Sequence, residues 1–498
     1  MGSSLARSVK DVAKLTSASL SVRLVGLAAL GYFTRHLTKE ELTVLPVYEM
    51  LAAMATVIFT FGVQPTILRT LPNLLENDRP AARGFIRVSG SIFIAGGALF
   101  GIGTYLAAPR LAVVLLHDPA HASLLRVMAV GFSLSTLRIF FNYLLWSSSR
   151  FDGLSLLRVS YALGRALLGV GGLMVGGLRG LVVGLVLNEV SAMLVGLAFT
   201  RDLLRGESVR RHGARRLLKE SFPYYLESYL MYFRAQGDNW IVATTLGPAA
   251  MSIYFVAKRI PQVLLMVTDS LDKIITADLA RKRDDHDAIR DYVHRISVIL
   301  ANTAVPGIMV IIGLIPAVIT VLAGPSYRGA VLPASLLSLM QMVFIMQIPF
   351  GRAIFIVRRP IVRVLQTSLE SVVLIGSLWF LAPWLRENGV ALSRLLAAVA
   401  SWCYAYVLLR RSLRTGAPWQ RYLRALLPAA AMAVAVQFLL AYDPRIVMAP
   451  LFAAAGGVLF LLISSMVNSR GFYGSLDEVL PFTVRDPLRV LLGKRKRG

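Results

Sequence analysis

The chain is 498 residues long, 56% hydrophobic and only 16% charged, with a mean hydropathy of +0.65. That excludes a water-soluble protein, which at this length has no interior large enough to hide so much apolar surface. The formal charge of +26 invites a nucleic-acid reading, but the basic residues gather in alternate connecting segments, which is how membrane topology distributes Lys and Arg.

Apolar stretches of about 20 residues, the length a helix needs to cross a bilayer, recur from end to end. They predict fourteen helices, at 15–36, 43–66, 85–107, 122–147, 155–177, 180–200, 222–245, 249–271, 296–322, 330–356, 361–384, 389–409, 425–441 and 446–467. The expected fold class is all-α: a polytopic membrane protein of two six-helix lobes plus two extra helices. Arg23 interrupts the first stretch and no small-residue cleavage site follows it, so that stretch is expected to be a retained helix rather than a signal peptide. Pro306, Pro316, Pro333 and Pro349 interrupt the ninth and tenth, as kinks that membrane helices tolerate when neighbours satisfy the freed backbone groups. The one cysteine, Cys403, lies in the twelfth, excluding an internal disulfide and a CxxC motif.

The connections alternate in charge. One set is basic: Arg7, Lys10 and Lys14, then Arg69, Arg79 and Arg83, then Arg150, RDLLRGESVRRHGARRLLK (201–219), ARKRDDHDAIRDYVHR (280–295), VRRPIVR (357–363), RRSLRTGAPWQRYLR (410–424) and the tail ending KRKRG. The other set is short and nearly uncharged: RHLTKEE, the turn around Arg110, GLRG, LGPAA, GPSYRG, RENG and YDPR. The positive-inside rule puts the first set, and both termini, in the cytoplasm.

The expected organisation is an N-terminal lobe at 1–204, a basic linker at 205–220, a C-terminal lobe at 221–411, two further spans at 412–470 and a basic tail at 471–498. The segment entering the second span, HLTKEELTVLPVYEM, parallels that entering the eighth, TLGPAAMSIYFVAKR. Leu37 then matches Leu246, and Glu49 falls opposite Lys258. Repeated halves of this kind are common in transporters.

Ionisable residues inside spans are functional candidates by default. The basic ones are Arg23, Arg138, Arg165, Arg234, Lys258, Arg259 and, nearer the cytoplasmic end, Arg352; the acidic ones are Glu49, Glu189, Glu227, Asp238 and Glu370. Facing lipid, the basic set alone would cost on the order of 20 kcal/mol, more than a fold's usual net stability, so these residues must face protein or water. Helical spacing agrees. Thr16, Ser19, Arg23 and Gly26 share one face of the first span, and Glu227, Met231, Arg234 and Asp238 one face of the seventh. A surplus of guanidinium suits a phosphate-bearing anion. The sequence therefore offers Arg23, Arg138, Arg234, Lys258 and Arg259 for pyrophosphate or glycan binding. Glu49, Glu189, Glu227, Asp238 and Glu370 are offered for ion coupling or charge pairing. Structural uses compete: Arg234 with Asp238 can neutralise locally, Arg165, Glu189 and Glu370 fit interhelical ties, and Arg158, Arg352 and Arg394 can snorkel to a surface.

Other chemistry is scarce. GxxxxGK[ST], HExxH and GxSxG are all missing, so neither P-loop ATP use nor these hydrolytic sites are expected. DDHD (284–287) could be read as part of a metal-dependent glycosyltransferase, but it reads better as a solvated helical connector, and no metal is expected. The glycines of GVGGLMVGG (169–177) suit close helix packing, and KRKRG suits anionic lipid.

RHLTKEELTVLPVYEMLAAMATVIFTFGVQPTILRTLP resembles the first helical hairpin of the polysaccharide flippases (Wzx-like, PST), members of the MOP superfamily with the MATE exporters and the MurJ lipid II flippases. The points of resemblance are Arg35, Leu37–Lys39, Gly62 and Arg69. HDPAHASLLRVMAVGF (117–132), DNWIVATTLGPAAMSIYFVAKRI (238–260) and LAGPSYRGAVLPASLLSLMQM (322–342) look like further family segments. One departure is Thr43, where the family commonly has glycine. The resemblance implies two six-helix lobes around a central cationic cavity. It also implies alternating access and export of undecaprenyl-pyrophosphate-linked oligosaccharide for O-antigen, capsule or exopolysaccharide. By it, the chain is a transporter of the bacterial inner membrane and not an enzyme, with no cofactor beyond H⁺ or Na⁺ coupling. Its partners would be the lipid-linked oligosaccharide, membrane lipids, a polysaccharide polymerase and glycosyltransferases, with no nucleic acid and a monomeric state. The rival readings are a MATE-like small-molecule antiporter, a lipid II flippase, a membrane-embedded glycan polymerase or ligase, and a scaffold that recruits synthesis enzymes through its basic loops.

Overall fold

The computed structural model describes residues 25–209, 213–283, 285–357 and 361–413, with 426, 427, 429–431 and 433–437. Every regular element among them is helical. Arg23 and most of the two last expected spans lie outside the described residues.

Helix α1 covers 25–36. Thr38 then opens α2 (Lys39–Leu42) with a reciprocal cap: its hydroxyl accepts from the Glu41 amide at 3.2 Å, and the Glu41 carboxylate accepts from the Thr38 amide at 2.9 Å. α3 (Val44–Val57) and α4 (Val63–Asn77) follow. The sequence predicts one unbroken span over 43–66, and here the structure differs. The chain breaks at Phe61 and Gly62, both with positive φ (51° and 70°). The cause is tertiary: a Cβ on Gly62 would strike the backbone of Tyr225.

Asp78 caps α5 (Arg79–Leu111), accepting from the Ala81 amide at 3.0 Å. After a π-turn at Ala112–Leu116, α6 runs Ala122–Ser147, the limits expected for the fourth span. α5 and α6 pack through small residues and hydroxyls. Ser133 donates to the Gly97 carbonyl (2.9 Å) and Thr136 to that of Phe93 (3.0 Å), while the Phe93 and Phe140 rings meet at a tilt, 5.3 Å between centroids, within the apolar core. In lipid such polar ties and close small-residue contacts replace the hydrophobic drive that joins helices in water.

α7 (Phe151–Leu204) is helical throughout except at Gly176 and Gly177, the latter at φ 58°. A Cβ on Gly172 would collide with the Gly180 carbonyl, and one on Gly180 with the Gly172 carbonyl. Residues eight apart in a continuous helix lie about 12 Å apart, so the two arms fold back antiparallel. GVGGLMVGG is the tight end of a helical hairpin, and the expected fifth and sixth spans are its arms. α8 (Ala214–Ile241), a second π-turn (Val242–Leu246) and α9 (Pro248–Arg281) follow.

α10 (His286–Ala323) carries Pro306 and Pro316 inside the helix and α11 (Val331–Val357) carries Pro349, while Pro333 falls in the first turn of α11, where its missing amide costs no helical bond. Asp285 of the DDHD segment caps α10, accepting from the Ala288 amide at 2.9 Å, as suits a helical connector. α12 (Ile361–Leu413) also folds back, at Arg386 (φ 51°), because Gln366 on one arm donates to Ser401 on the other at 3.1 Å. Trp379, Phe380 and Trp384 stand exposed beside that turn, where a membrane protein places its interfacial aromatics.

Six helices among the described residues are long and apolar enough to cross a membrane. Two of them, α7 and α12, are the hairpins. The seventh and eighth expected spans are helical in α8 and α9. By packing, the chain divides into two units, Met1–Ser252 and Ile253–Gly498.

Candidate functional site

The densest group of buried ionisable residues lies in the first unit, where α3, α6 and the two arms of α7 meet. Glu189 is fully buried at the middle of the second arm. Arg138 of α6 donates its Nε to Glu189 Oε2 at 2.7 Å. Tyr161 of the first arm donates its hydroxyl to Oε1 at 2.9 Å, and Tyr48 of α3 approaches the same oxygen at 3.4 Å. The Arg138 guanidinium also lies 4.0 Å from the centroid of the Tyr161 ring, a cation–π contact. Arg165, one helical turn beyond Tyr161, pairs with Glu49, the residue after Tyr48.

Tyr161 and Arg165, one turn apart, share a face of α7; Tyr161 meets the Glu189 carboxylate that Tyr48 also approaches, and Arg165 meets Glu49 beside Tyr48. The first arm can approach the second closely because residue 164 is glycine: a Cβ there would strike the Asn188 side chain. Among the described residues, two guanidinium groups meet two carboxylates here. Its two ion pairs tie the hairpin to α3 and α6, and the Tyr161 hydroxyl ties the hairpin's two arms to each other. In hydrocarbon, where an isolated charge is expensive, such pairing is what allows these residues to be there.

The remaining expected residues are dispersed. Asp238 is buried and Arg234 half-buried on α8, while Glu227 is exposed there. In the second unit, Arg259 lies 4.3 Å from the Phe255 ring centroid and donates to Gln262 Oε1 at 3.1 Å. Lys258 sits 5.6 Å from the Tyr254 ring, and Glu370 is buried on α12. Arg352 does not merely snorkel: both its Nε and Nη2 donate to the Asp272 carboxylate of α9. Arg158 is exposed as expected, with Asn142 at 3.4 Å. Three contributors escape a search for charged residues inside spans. Tyr48 and Tyr161 carry no formal charge, and Asp272 falls one residue past the expected end of its span.

The closeness of the arms in α7, the hairpin of α12 and the buried ion pairs define a class: a multi-pass, all-α membrane protein whose helices carry paired charge between them. Solved structures share its fold. A lipid II flippase MurJ in an inward closed conformation aligns with a TM-score of 0.69 over 91% of this chain and 98% of its own, at 15% identity. A multidrug resistance MATE family transporter of the MOP superfamily, inward-facing, aligns at 0.62 over 80% and 98%, at 16% identity. A MOP superfamily transporter from Pyrococcus furiosus aligns at 0.53 over 82% and 97%, at 15% identity; its structure is described as having a reversed-polarity binding pocket that suggests a different function. No curated protein matches the chain. Residues 32–332 match the family described as polysaccharide biosynthesis protein, and the chain belongs to that family.

Proposed function

We propose that this protein is a flippase that carries an undecaprenyl-pyrophosphate-linked oligosaccharide across the bacterial cytoplasmic membrane, for surface polysaccharide assembly. The observation that carries the reading is a coincidence in one chain: membership of a polysaccharide biosynthesis family, and the fold of a lipid II flippase over 91% of its length. The proposed architecture is two six-helix lobes and two extra helices, with both termini in the cytoplasm. The lobes rock to give alternating access, and the lipid tail stays in the bilayer.

Arg23, Arg234, Lys258 and Arg259 are the proposed contacts for pyrophosphate and glycan. Arg138 joins them only in a state where Glu189 releases it. Glu227, Asp238 and Glu370 are the proposed H⁺ or Na⁺ coupling groups, while Glu49 and Glu189 serve charge pairing. The geometry gives Glu49 and Glu189 an immediate structural use, so the substrate role rests chiefly on the cations of α8 and α9.

Deleting the gene should abolish surface glycan and leave the lipid-linked oligosaccharide accumulating on the cytoplasmic leaflet, and restoring the chain should reverse both. Arg234→Ala and Arg259→Ala, expressed at normal levels, should each reduce export. Unchanged surface glycan in the deletion strain would overturn the reading. Glycan-joining activity by the purified protein would replace it with a polymerase or ligase.

A further inference from the structure

The second arm of α7 ends in a stripe that takes no part in the ion-pair cluster. Leu194, Leu197, Ala198, Arg201, Leu204 and Arg205 recur at i, i+3, i+4, i+7, i+10 and i+11, so they share one face of the helix. Among the described residues these six line a groove of about 360 Å³, within the roughly 300–1,000 Å³ usual for sites that hold small molecules. The groove has an apolar end and a basic end. Leu194 and Leu197 are 54% and 39% exposed, and Ala198 is exposed beside them. Arg201 and Arg205 are exposed one turn apart, just past residue 200, where the sixth span is expected to end. From Leu194 to Arg205 the helix rises about 16 Å, half of a hydrocarbon core about 30 Å thick and so the depth of one leaflet.

Both guanidinium groups are uncommitted within the protein. Asp202, the acid between them in sequence, is held by Arg150, whose Nη1 and Nη2 donate to its two carboxylate oxygens at 2.7 and 2.5 Å. Glu207 lies beyond the helix end and is exposed. Among the described residues, neither Arg201 nor Arg205 makes an ion pair or a side-chain hydrogen bond. The backbone that carries them is nevertheless pinned. Arg150 also donates to the Phe199 carbonyl at 2.8 Å. Past Arg205, Arg87 donates to the Gly206 carbonyl at 3.1 Å, and the Val209 amide to the Pro80 carbonyl at 3.0 Å. An arginine that only snorkels needs no apolar groove beneath it, whereas two stand here at the head of one. We infer that this groove binds one anionic glycerophospholipid of the surrounding leaflet. Arg201 and Arg205 take its phosphate oxygens through charge-assisted hydrogen bonds, and an acyl chain lies along Leu204, Ala198, Leu197 and Leu194. Charge complementarity selects the occupant: a zwitterionic lipid brings its own cation up to the two guanidinium groups, and an anionic one does not. The site lies wholly within the first unit and is independent of the cargo proposed above.

Native mass spectrometry of the purified full-length chain in detergent reads the occupancy. Phosphatidylglycerol and phosphatidylcholine with identical acyl chains are titrated in separate runs. Each arginine near an anionic lipid surface contributes roughly a factor of five, so the first phosphatidylglycerol should bind roughly twenty- to thirty-fold more tightly than the first phosphatidylcholine. Arg201→Gln combined with Arg205→Gln should erase that preference. Arg215→Gln, at an exposed arginine outside the groove, should keep it. Ala198→Trp leaves every charge in place but fills the apolar end, and it should lose the tightly held phosphatidylglycerol. All four positions are exposed, so the substitutions leave the packed core alone. Equal affinity for the two lipids, or a preference that survives loss of both arginines, would overturn the site. A preference untouched by Ala198→Trp would reduce it to attraction between surface charges and refute the groove.

Discussion

Replacing Glu189 by Gln isolates the balance of charge in the first unit. The carboxylate is fully buried and takes hydrogen bonds from Arg138 and Tyr161, at 2.7 and 2.9 Å. Glutamine keeps the volume and one acceptor oxygen for the tyrosine, but it leaves the Arg138 guanidinium, whose side chain is only 15% exposed, without its counter-charge. Breaking one side of a buried ion pair costs about 3–5 kcal/mol, most of it the burden of the charge left behind. For a unit of about 250 residues, that corresponds to a fall of roughly 6–20 °C in apparent melting temperature. Unfolding followed in detergent at a fixed scan rate measures it, because membrane proteins seldom refold after heating. Arg138→Met combined with Glu189→Leu removes both charges and should recover most of the loss, since apolar replacement of a whole buried pair is often neutral or better. Glu189→Gln melting within about 2 °C of the wild type, or a double variant no more stable than the single one, would refute the account of this cluster as a mutual neutralisation.

Two further substitutions probe the fold. Gly172→Ala should destabilise the protein by about 1–3 kcal/mol, seen as aggregation in size-exclusion profiles, because the new methyl meets the Gly180 carbonyl across the hairpin; Gly171→Ala, with open space at its Cβ, should behave as wild type. Arg87→Ala should free the linker after α7, because Arg87 donates to Ser208 Oγ at 2.7 Å and to the Gly206 carbonyl at 3.1 Å; limited trypsin digestion should then cut faster at Arg205, with no change in cleavage if those bonds are idle.

The legible features were those set by local pattern. The limits of α6 follow from an apolar run closed by its flanking polar residues, and the turn at Gly177 falls at the expected end of the fifth span, beside the GLRG connection. DDHD read as a connector because it lies in a basic, solvated segment, and Asp285 there caps α10. The features that escaped depend on distant partners. Nothing near Gly62 announces that Tyr225 will press against it. Nor can spacing along one helix say which carboxylate an arginine will meet, since Arg138 finds Glu189 across 51 residues and Arg165 finds Glu49 across 116. The tyrosines escaped for a different reason: their value in the cluster is a hydroxyl aimed at a carboxylate, a property of packing and not of charge.

Those two separations set a timetable for the growing chain. At about 5–20 residues per second, Arg138 waits about 3–10 s after it is made before Glu189 emerges, and Glu49 waits about 6–23 s for Arg165. Throughout that interval Arg138 and Glu49 have not yet met these two partners. When the α7 hairpin emerges, its two arms deliver Arg165 and Glu189 together, so one hairpin supplies both partners.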